Sequence, residues 1–171
     1  MRIQFSEIPD NGLRLKVNDE AWFPDQEVAR AGPVAAAVFL ERKGAARVLL
    51  EGEIEAAIVL DCARCLEPFT KRLAGGFKVD LEYIEPGLPL PEEHSCSASE
   101  MDTMYLAEPV VDIYEVLSQQ VLLSLPVKAV CSETCRGLCP RCGTNLNKKP
   151  CSCPTDTSSS PFSKLASLKK K

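Results

Sequence analysis

Six of the nine cysteines in the chain lie between residues 131 and 153, in a segment with almost no apolar side chains. A segment of about 25 residues with this composition cannot bury enough apolar surface to fold around a core of its own. Bonds through the cysteines must therefore hold it together, unless it is a reduced tail without fixed structure. The cysteines are Cys131, Cys135, Cys139, Cys142, Cys151 and Cys153.

The start of the chain favours metal ligation over disulfides. Residues 1–7 contain no apolar stretch of the kind that a secretory signal peptide needs, which predicts a cytosolic protein. In the reducing cytosol, closely spaced cysteines are expected to bind metal ions. The longest apolar run, residues 34–40, is far shorter than the ~20 residues that cross a bilayer, so we expect no membrane partner.

The cysteine spacing suits tetrahedral zinc, which takes four thiolates at ~2.3 Å and often receives two of them from one short turn. Cys139-Pro-Arg-Cys142-Gly143 fits such a turn, because Pro140 favours the turn and Gly143 can adopt the left-handed conformation that follows it. We predict one structural zinc site, whose binding free energy, on the order of 10 kcal/mol, replaces the missing core. Its ligands are four of the six cysteines Cys131, Cys135, Cys139, Cys142, Cys151 and Cys153, and the spacing leaves the choice open.

A separate C-x-x-C motif, Cys62-Ala-Arg-Cys65, follows the apolar residues 57–60. It has three interpretations: a redox pair, a second metal knuckle that borrows thiols from the C-terminal cluster, or a purely structural turn. Redox catalysis is the least favoured of the three, because the sequence lacks the alternating strands and helices of a thioredoxin-like fold.

Charge divides the chain in the same way as the cysteines. Residues 1–125 hold 11 Lys/Arg and 22 Asp/Glu, a net −11, whereas residues 126–171 hold 9 and 2, a net +7. The basic end is either a solvated tail or a surface for nucleic acid. Residues 126–153 contain no aromatic side chain for base stacking, so we expect phosphate contacts with little sequence readout. The candidate phosphate-binding residues are Lys128, Arg136, Arg141, Lys148 and Lys149.

Residues 1–125 are predicted to form an acidic, β-rich body. Apolar residues alternate with polar ones around 3–5, 13–17, 48–60 and 77–83, and turn residues separate these runs. One helix is predicted over 112–125: Asp112 can cap its start, its apolar residues share one face, and Pro126 ends it. The predicted fold class is α+β, a mainly antiparallel body (sandwich or small barrel) with one packing helix and a C-terminal cysteine-rich zinc-binding segment.

Two other segments have a loop-like or tail-like composition. Residues 86–103 are rich in proline, serine and acidic side chains, which predicts a flexible surface loop. His94 and Cys96 lie two residues apart in this loop, and the sequence does not assign them a function. Residues 154–171 are predicted to form a basic tail with a short helix that begins at Ser160-Pro161. The predicted division is therefore a body (1–125), a metal module (126–153) and a tail (154–171).

The sequence offers little material for catalysis. The single histidine leaves few options for a catalytic triad or a catalytic metal site, and no Gly-rich phosphate-binding loop is present. We therefore expect that the protein is not an enzyme.

Several motifs in this order resemble the YceD-type large ribosomal RNA subunit accumulation proteins. They are Cys62-x-Arg-Cys65-Leu66, Leu125-Pro126, the stretch from Cys135 to Asn147, and the end from Pro161 to Lys169. The resemblance implies a bacterial cytosolic protein that supports synthesis, processing or stability of 23S rRNA, with the pre-ribosomal large subunit and a ribosomal protein as candidate partners. It supplies no catalytic residues. Some members share the C-x-R-C element without the C-terminal cysteines, which argues against a site shared between the two.

Three functional hypotheses follow. The first is a non-enzymatic ribosome-biogenesis factor with a zinc-stabilised basic module. The second is a binding module whose acidic body holds a basic ribosomal protein without touching RNA. The third and most distant is a thiol redox protein that uses Cys62 and Cys65.

Overall fold

The computed structural model describes residues 1–85 and 103–153, and the chain divides into two compact units. The first, here called the sheet unit, comprises Met1–Leu60 and Phe69–Val127. The second, here called the cysteine unit, comprises Asp61–Pro68 and Lys128–Lys171. Residues 61–68 thus belong with the C-terminal cysteines, whereas the sequence-based division assigns them to the body.

The chain forms seven strands and one α-helix within the described residues. They are β1 (Arg2–Gln4), β2 (Leu13–Val17), β3 (Ala35–Arg42), β4 (Arg47–Asp61), β5 (Pro68–Tyr83), β6 (Thr103–Leu106), β7 (Val110–Asp112) and α1 (Ile113–Leu123), with a short 3-10 helix at Phe5–Glu7. The predicted strands around 3–5, 13–17, 48–60 and 77–83 correspond to β1, β2, β4 and the second half of β5.

The strands form one open sheet in the order β2-β3-β4-β5-β6 and a two-stranded sheet of β1 and β7. The β2–β3, β3–β4 and β1–β7 pairs are antiparallel, and β5–β6 is parallel. Only residues 62–67 connect β4 to β5, and because a parallel pair needs a crossover of about a dozen residues, these strands also run antiparallel. The predicted α+β, mainly antiparallel class is confirmed. The five-stranded order is linear in the described part of the chain, so the sheet is not a closed barrel.

The period-two pattern of β4 explains how the sheet unit acquires its core. From Ile54 to Ile58 every second side chain is buried, while Glu53 just before them and Glu55 among them are exposed. The apolar cluster to which these residues belong includes Leu40, Leu50, Leu81 and Leu117, all with no exposed surface. Every member of the cluster lies in the sheet unit.

Helix α1 begins where the sequence predicts. Asp112, the last residue of β7, accepts a hydrogen bond from the Tyr114 backbone N–H at 3.1 Å and so caps the helix. The predicted apolar face is buried at Ile113, Val116, Leu117 and Val121. The helix ends at Leu123 and not at 125, because Pro126 has no N–H to continue the helical hydrogen bonds and disfavours helical backbone at the residue before it.

Two of the sequence-based predictions fall outside the described residues. The predicted loop 86–103 overlaps the described part only at Thr103, which begins β6, so His94 and Cys96 lie outside it. The predicted tail 154–171 with its short helix lies outside it as well. None of the helices in the described ranges has the length and apolar character that a bilayer crossing requires.

Candidate metal centre

The cysteine unit brings eight thiols together in two groups of four. Site 1 consists of Cys62, Cys65, Cys131 and Cys135, and site 2 of Cys139, Cys142, Cys151 and Cys153. Within each group, the four sulfur atoms all lie within 4.8 Å of one another. Either group could hold a metal ion, and all eight thiols are free of disulfides.

This arrangement differs from the predicted single site of four among six cysteines. All six C-terminal cysteines belong to a group, but Cys131 and Cys135 pair with Cys62 and Cys65 instead of with a C-terminal pair. The cause lies in the fold, because the β4–β5 connection belongs to the same compact unit as the C-terminal cysteines. Of the three interpretations of Cys62 and Cys65, this grouping favours the second, a metal knuckle that uses thiols of the C-terminal cluster, over the separation that the family resemblance implies.

The two C-x-x-C motifs form the same backbone turn. In site 2, the Gly143 N–H donates to the Cys139 carbonyl at 2.9 Å, and Gly143 has φ +71°. In site 1, the Leu66 N–H donates to the Cys62 carbonyl at 2.8 Å. Leu66 has φ +58°, a conformation that residues other than glycine seldom adopt. The left-handed residue expected after Cys142 is thus present, and Leu66 gives the Cys62–Cys65 motif the same turn, as the second-knuckle interpretation requires.

The sulfur spacing of site 1 suits tetrahedral coordination. The distance is 3.8 Å from Cys62 Sγ to Cys135 Sγ and 3.8 Å from Cys65 Sγ to Cys131 Sγ. A tetrahedron with bonds of ~2.3 Å has an edge of ~3.8 Å, so both distances match the separation of thiolates around one zinc-sized ion.

Arg64, inside the first knuckle, holds the other half of site 1 in place. Its guanidinium donates to the backbone carbonyls of Glu133 and Cys135, each at 2.9 Å. Its own carbonyl accepts the Leu138 N–H at 3.0 Å, and the neighbouring Ala63 N–H donates to Ala129 at 2.8 Å. These bonds fix the segment that carries Cys131 and Cys135 against the turn that carries Cys62 and Cys65.

Thr144 organises the second knuckle. Its carbonyl accepts the Cys139 N–H at 2.9 Å, which closes the loop behind the turn. Its hydroxyl lies 3.2 Å from Cys142 Sγ. An isolated antiparallel bridge between Leu138 and Asn145 then starts the loop that leads to Cys151 and Cys153.

Cysteines also provide the buried apolar residues of this unit. In the described part of the cysteine unit, the buried hydrophobic residues are Cys62, Cys65, Cys135 and Cys139. The remaining four thiols are exposed or half-buried. Within residues 61–68 and 128–153 the unit therefore has no hydrocarbon core, and the packing there centres on the two groups of sulfur atoms.

Within each site, some thiols have a lowered pKa and others a raised one. Hydrogen bonding from the Cys131 backbone N–H lowers the pKa of Cys62 to about 6, and the Thr144 hydroxyl does the same for Cys142, also to about 6. The nearby sulfur of Cys135 raises the pKa of Cys131 to about 12, and the sulfur of Cys142 raises that of Cys153 to about 12. Four adjacent thiols cannot all ionise without a cation between them, because the negative charges repel.

Proton release on metal binding should reflect this separation. The pKa is raised for Cys65 and Cys131 in site 1 and for Cys151 and Cys153 in site 2, and it is about 6 for Cys62 and Cys142, so a divalent ion at pH 7.5 should displace at least two but fewer than four protons per site. Acidification should weaken binding, because protons then compete for all four sulfurs. Calorimetry in buffers of different ionisation enthalpy measures the number of protons released per metal ion. Release of four protons per ion would contradict the low pKa values of Cys62 and Cys142.

The predicted phosphate-binding residues all lie in the cysteine unit. The side chains of Lys128, Arg136, Arg141 and Lys149 are exposed and have no ion-pair partner among the described residues. Lys148 differs, because its ammonium bonds Glu67 at 2.6 Å. Four of the five are thus available to a ligand, and one is engaged within the protein.

The sheet and the two tetracysteine groups define a class: a mainly antiparallel β protein with a cysteine unit suited to metal ions. Residues 50–169 match the family model described as large ribosomal RNA subunit accumulation protein YceD. The chain belongs to this family.

Relatives extend the comparison. An uncharacterised protein of Mycobacterium tuberculosis is 33% identical over 104 residues, which cover 60% of this chain and 47% of the relative. The chloroplastic large ribosomal RNA subunit accumulation protein YCED homolog 1 of Arabidopsis thaliana is 25% identical over 178 residues, 92% of this chain and 53% of the relative. Its Zea mays counterpart is 27% identical over 143 residues, 71% of this chain and 48% of the relative. This chain spans about half the length of these relatives, and no solved structure shows significant similarity to it.

Proposed function

We propose that the protein is a non-enzymatic ribosome-biogenesis factor that supports the synthesis, processing or stability of 23S rRNA in the bacterial cytoplasm. The observation that carries this proposal is the family match over residues 50–169, whose description refers to accumulation of large-subunit ribosomal RNA. The pre-ribosomal large subunit is then the partner. The chloroplastic relatives of Arabidopsis thaliana and Zea mays bear the same description.

Zinc is the proposed metal, with a structural role in both sites. All-cysteine sets favour zinc among common divalent ions, and a site closed by four protein thiolates leaves no position for a catalytic water. Each site offers four sulfur atoms within 4.8 Å of one another, so neither needs a further ligand. When bound, the metal supplies folding free energy and no reaction chemistry.

RNA contact is proposed to be local and to involve phosphates. The cysteine unit holds 10 Lys/Arg and 4 Asp/Glu, a net +6, and each zinc with four thiolates carries −2. Two loaded sites therefore leave about +2, too little for strong long-range attraction. Contact would come from individual exposed side chains such as Arg136, Arg141 and Lys149, with a salt-dependent affinity.

The alternative partner, a basic ribosomal protein held by the acidic body, stays a prediction. The row of exposed acidic side chains on β4, Glu51, Glu53 and Glu55, offers limited support for it. Lys78 lies 3.3 Å from Glu51, and Arg72 pairs with Glu55, so two of the three glutamates in this row are already neutralised. Glu53 between them has no ion-pair partner among the described residues.

Deleting the gene tests the proposal. We expect the ratio of 23S to 16S rRNA to fall in the deletion strain and to return with a plasmid that encodes the intact chain. A plasmid that encodes Arg136→Ala, Arg141→Ala and Lys149→Ala together should restore the ratio only in part, whereas one with Lys16→Ala, an exposed lysine of the sheet unit, should restore it fully. An unchanged ratio after deletion would reject the proposed role.

A further inference from the structure

We propose that the two metal sites bind as a coupled pair, and that Asn147 is the positioning residue through which site 2 supports site 1. This inference rests on the metal sites of the proposed function but not on the role in ribosome biogenesis. It concerns the loop of residues 143–150, which connects the ligands Cys142 and Cys151 of site 2 and whose side chains at 145, 147 and 148 contact site 1 or the residue that follows its first knuckle.

Asn147 bonds a sulfur atom of the other site. Its Nδ2 donates to Cys135 Sγ at 3.3 Å, and its Oδ1 accepts the Arg136 N–H at 2.8 Å. The first bond lowers the pKa of Cys135, because a donated hydrogen bond stabilises the thiolate. Hydrogen bonds of this kind orient a metal ligand and adjust its donor strength, and their loss usually costs ~10–100-fold in metal affinity.

Glu67 anchors the same loop to the first knuckle. It lies two residues after Cys65 and accepts bonds from Lys148 Nζ at 2.6 Å and Asn145 Nδ2 at 3.3 Å. These two partners lower the pKa of the Glu67 carboxyl. The loop therefore reaches both halves of site 1, Cys135 through Asn147 and the Cys62–Cys65 turn through Glu67.

The loop is also stiffened internally, so that its side chains are held together. Asn145 Oδ1 accepts from the Asn147 backbone N–H and from Asn147 Nδ2, each at 3.0 Å. The Asn145 carbonyl accepts from Lys148 and Lys149, and the Leu146 N–H bonds the Gly137 carbonyl at 2.9 Å. Asn147 cannot move alone, and its position depends on the whole loop.

Coupling follows because the two ends of this loop are ligands of site 2. A metal ion that binds Cys142 and Cys151 fixes both ends of the loop and presents Asn147 and Lys148 to site 1 in their bonding positions. Binding at site 2 should therefore raise the affinity of site 1, and by linkage binding at site 1 should raise the affinity of site 2 by the same factor.

Cadmium titration of the full-length chain can follow both sites at once. Cadmium NMR is expected to give two resonances, which Cys65→Ser and Cys153→Ser assign to site 1 and site 2. In Asn147→Ala, we expect the site 1 resonance to shift. We also expect chelator competition to give a cadmium affinity of site 1 that is about 10–100-fold lower than in the unmodified chain. Lys149→Ala is the matched control, since it alters the same loop at a side chain with no partner among the described residues. Equal site 1 affinity in these two variants would overturn the role of Asn147.

A second variant separates the Nδ2 donor of Asn147 from its Oδ1 acceptor. Asn147→Asp keeps an oxygen to accept the Arg136 N–H but, when ionised, cannot donate to Cys135. We expect it to weaken site 1 at least as much as Asn147→Ala, whereas a role through the Arg136 bond alone predicts that it would behave as the unmodified chain.

The coupling itself is tested by disrupting site 2. Cys153→Ser should lower the affinity of site 1 in the unmodified chain and should lower it less when Asn147→Ala is already present. Site 1 affinity that is independent of Cys153→Ser would overturn the coupling while leaving two metal sites in place. A chain that binds no cadmium would instead reject the metal sites of the proposed function.

Discussion

Stripping the metal with a strong chelator is expected to unfold the cysteine unit and leave the sheet unit folded. Structural zinc contributes roughly 10 kcal/mol or more of folding free energy, whereas a small domain has a total stability of only about 5–15 kcal/mol. The cysteine unit has little to replace that contribution, since its buried hydrophobic residues in the described part are four cysteines. The core residues of the sheet unit, among them Leu40, Leu50 and Ile58, include no metal ligand.

Hydrogen exchange is the suitable measurement because it reports on both units in one sample. After chelation, the amides of residues 61–68 and 128–153 should lose protection, including those of Leu66 and Gly143, which donate within the two knuckles. Amides in β3 and in β4 up to Leu60 should keep their protection and act as the internal control. Zinc content should be about two per chain before treatment, and adding zinc back should restore protection. Unchanged protection over 128–153 in metal-free protein would show that the unit folds without metal.

The sequence pattern predicts those parts of the sheet unit that have one buried face. The alternation in β4 is regular, because Ile54, Ala56 and Ile58 all face the core. The first half of β5 lacks such a pattern: Gly75 and Gly76 suggest a turn, yet the strand runs through them from Pro68 to Tyr83. Pairing with β4 overrides the local preference there, and a strand fixed by its neighbour has no signature in its own residues.

The candidate metal ligands could be predicted individually from the sequence, but their division into two groups of four could not. Cys62 and Cys131 are 69 residues apart, and only the folded chain brings their segments together. One sequence feature does point to the correct partition. Cys62-Ala-Arg-Cys65 and Cys139-Pro-Arg-Cys142 share the pattern C-x-R-C, and each forms a knuckle with a left-handed residue after it. Two knuckles require two further pairs, which Cys131/Cys135 and Cys151/Cys153 provide.

Residues around the ligands have no comparable sequence feature. Arg64 and Asn147 act through backbone carbonyls and a sulfur atom that belong to other segments, so their roles depend on tertiary contacts. Lys148 shows the same dependence on tertiary contacts. Its role in phosphate binding stays a prediction, and its ion pair with Glu67 has no sign in the sequence.

Gly137→Ala is expected to disrupt the assembly of site 1, although it changes no ligand. Gly137 has φ +72°, which costs an alanine about 1–2 kcal/mol. An added Cβ would also lie 2.8 Å from the Arg64 carbonyl oxygen, a backbone atom that cannot rotate away. Relieving this contact would separate Arg64 from Leu138, whose N–H now donates to that same oxygen at 3.0 Å.

Gly143→Ala provides the matched control for this effect. Gly143 has nearly the same backbone angle, φ +71°, but a Cβ there would meet nothing within 4 Å. Both variants carry the conformational cost of the left-handed region, so the difference between them isolates the contact with Arg64. Loss of the hydrogen bond between the Leu138 N–H and the Arg64 carbonyl adds about 0.5–1.5 kcal/mol, which corresponds to roughly 2–13-fold in metal affinity.

Chelator competition on the two variants measures this difference. We expect Gly137→Ala to lose metal from site 1 at a chelator concentration at which Gly143→Ala retains it. The reason is the displacement of Arg64, because this residue joins the first knuckle to the segment that carries Cys135. Equal site 1 affinities in the two variants would mean that the Arg64 contact contributes nothing to site 1. In that case, the four thiols of site 1 would assemble around the metal without help from the surrounding backbone.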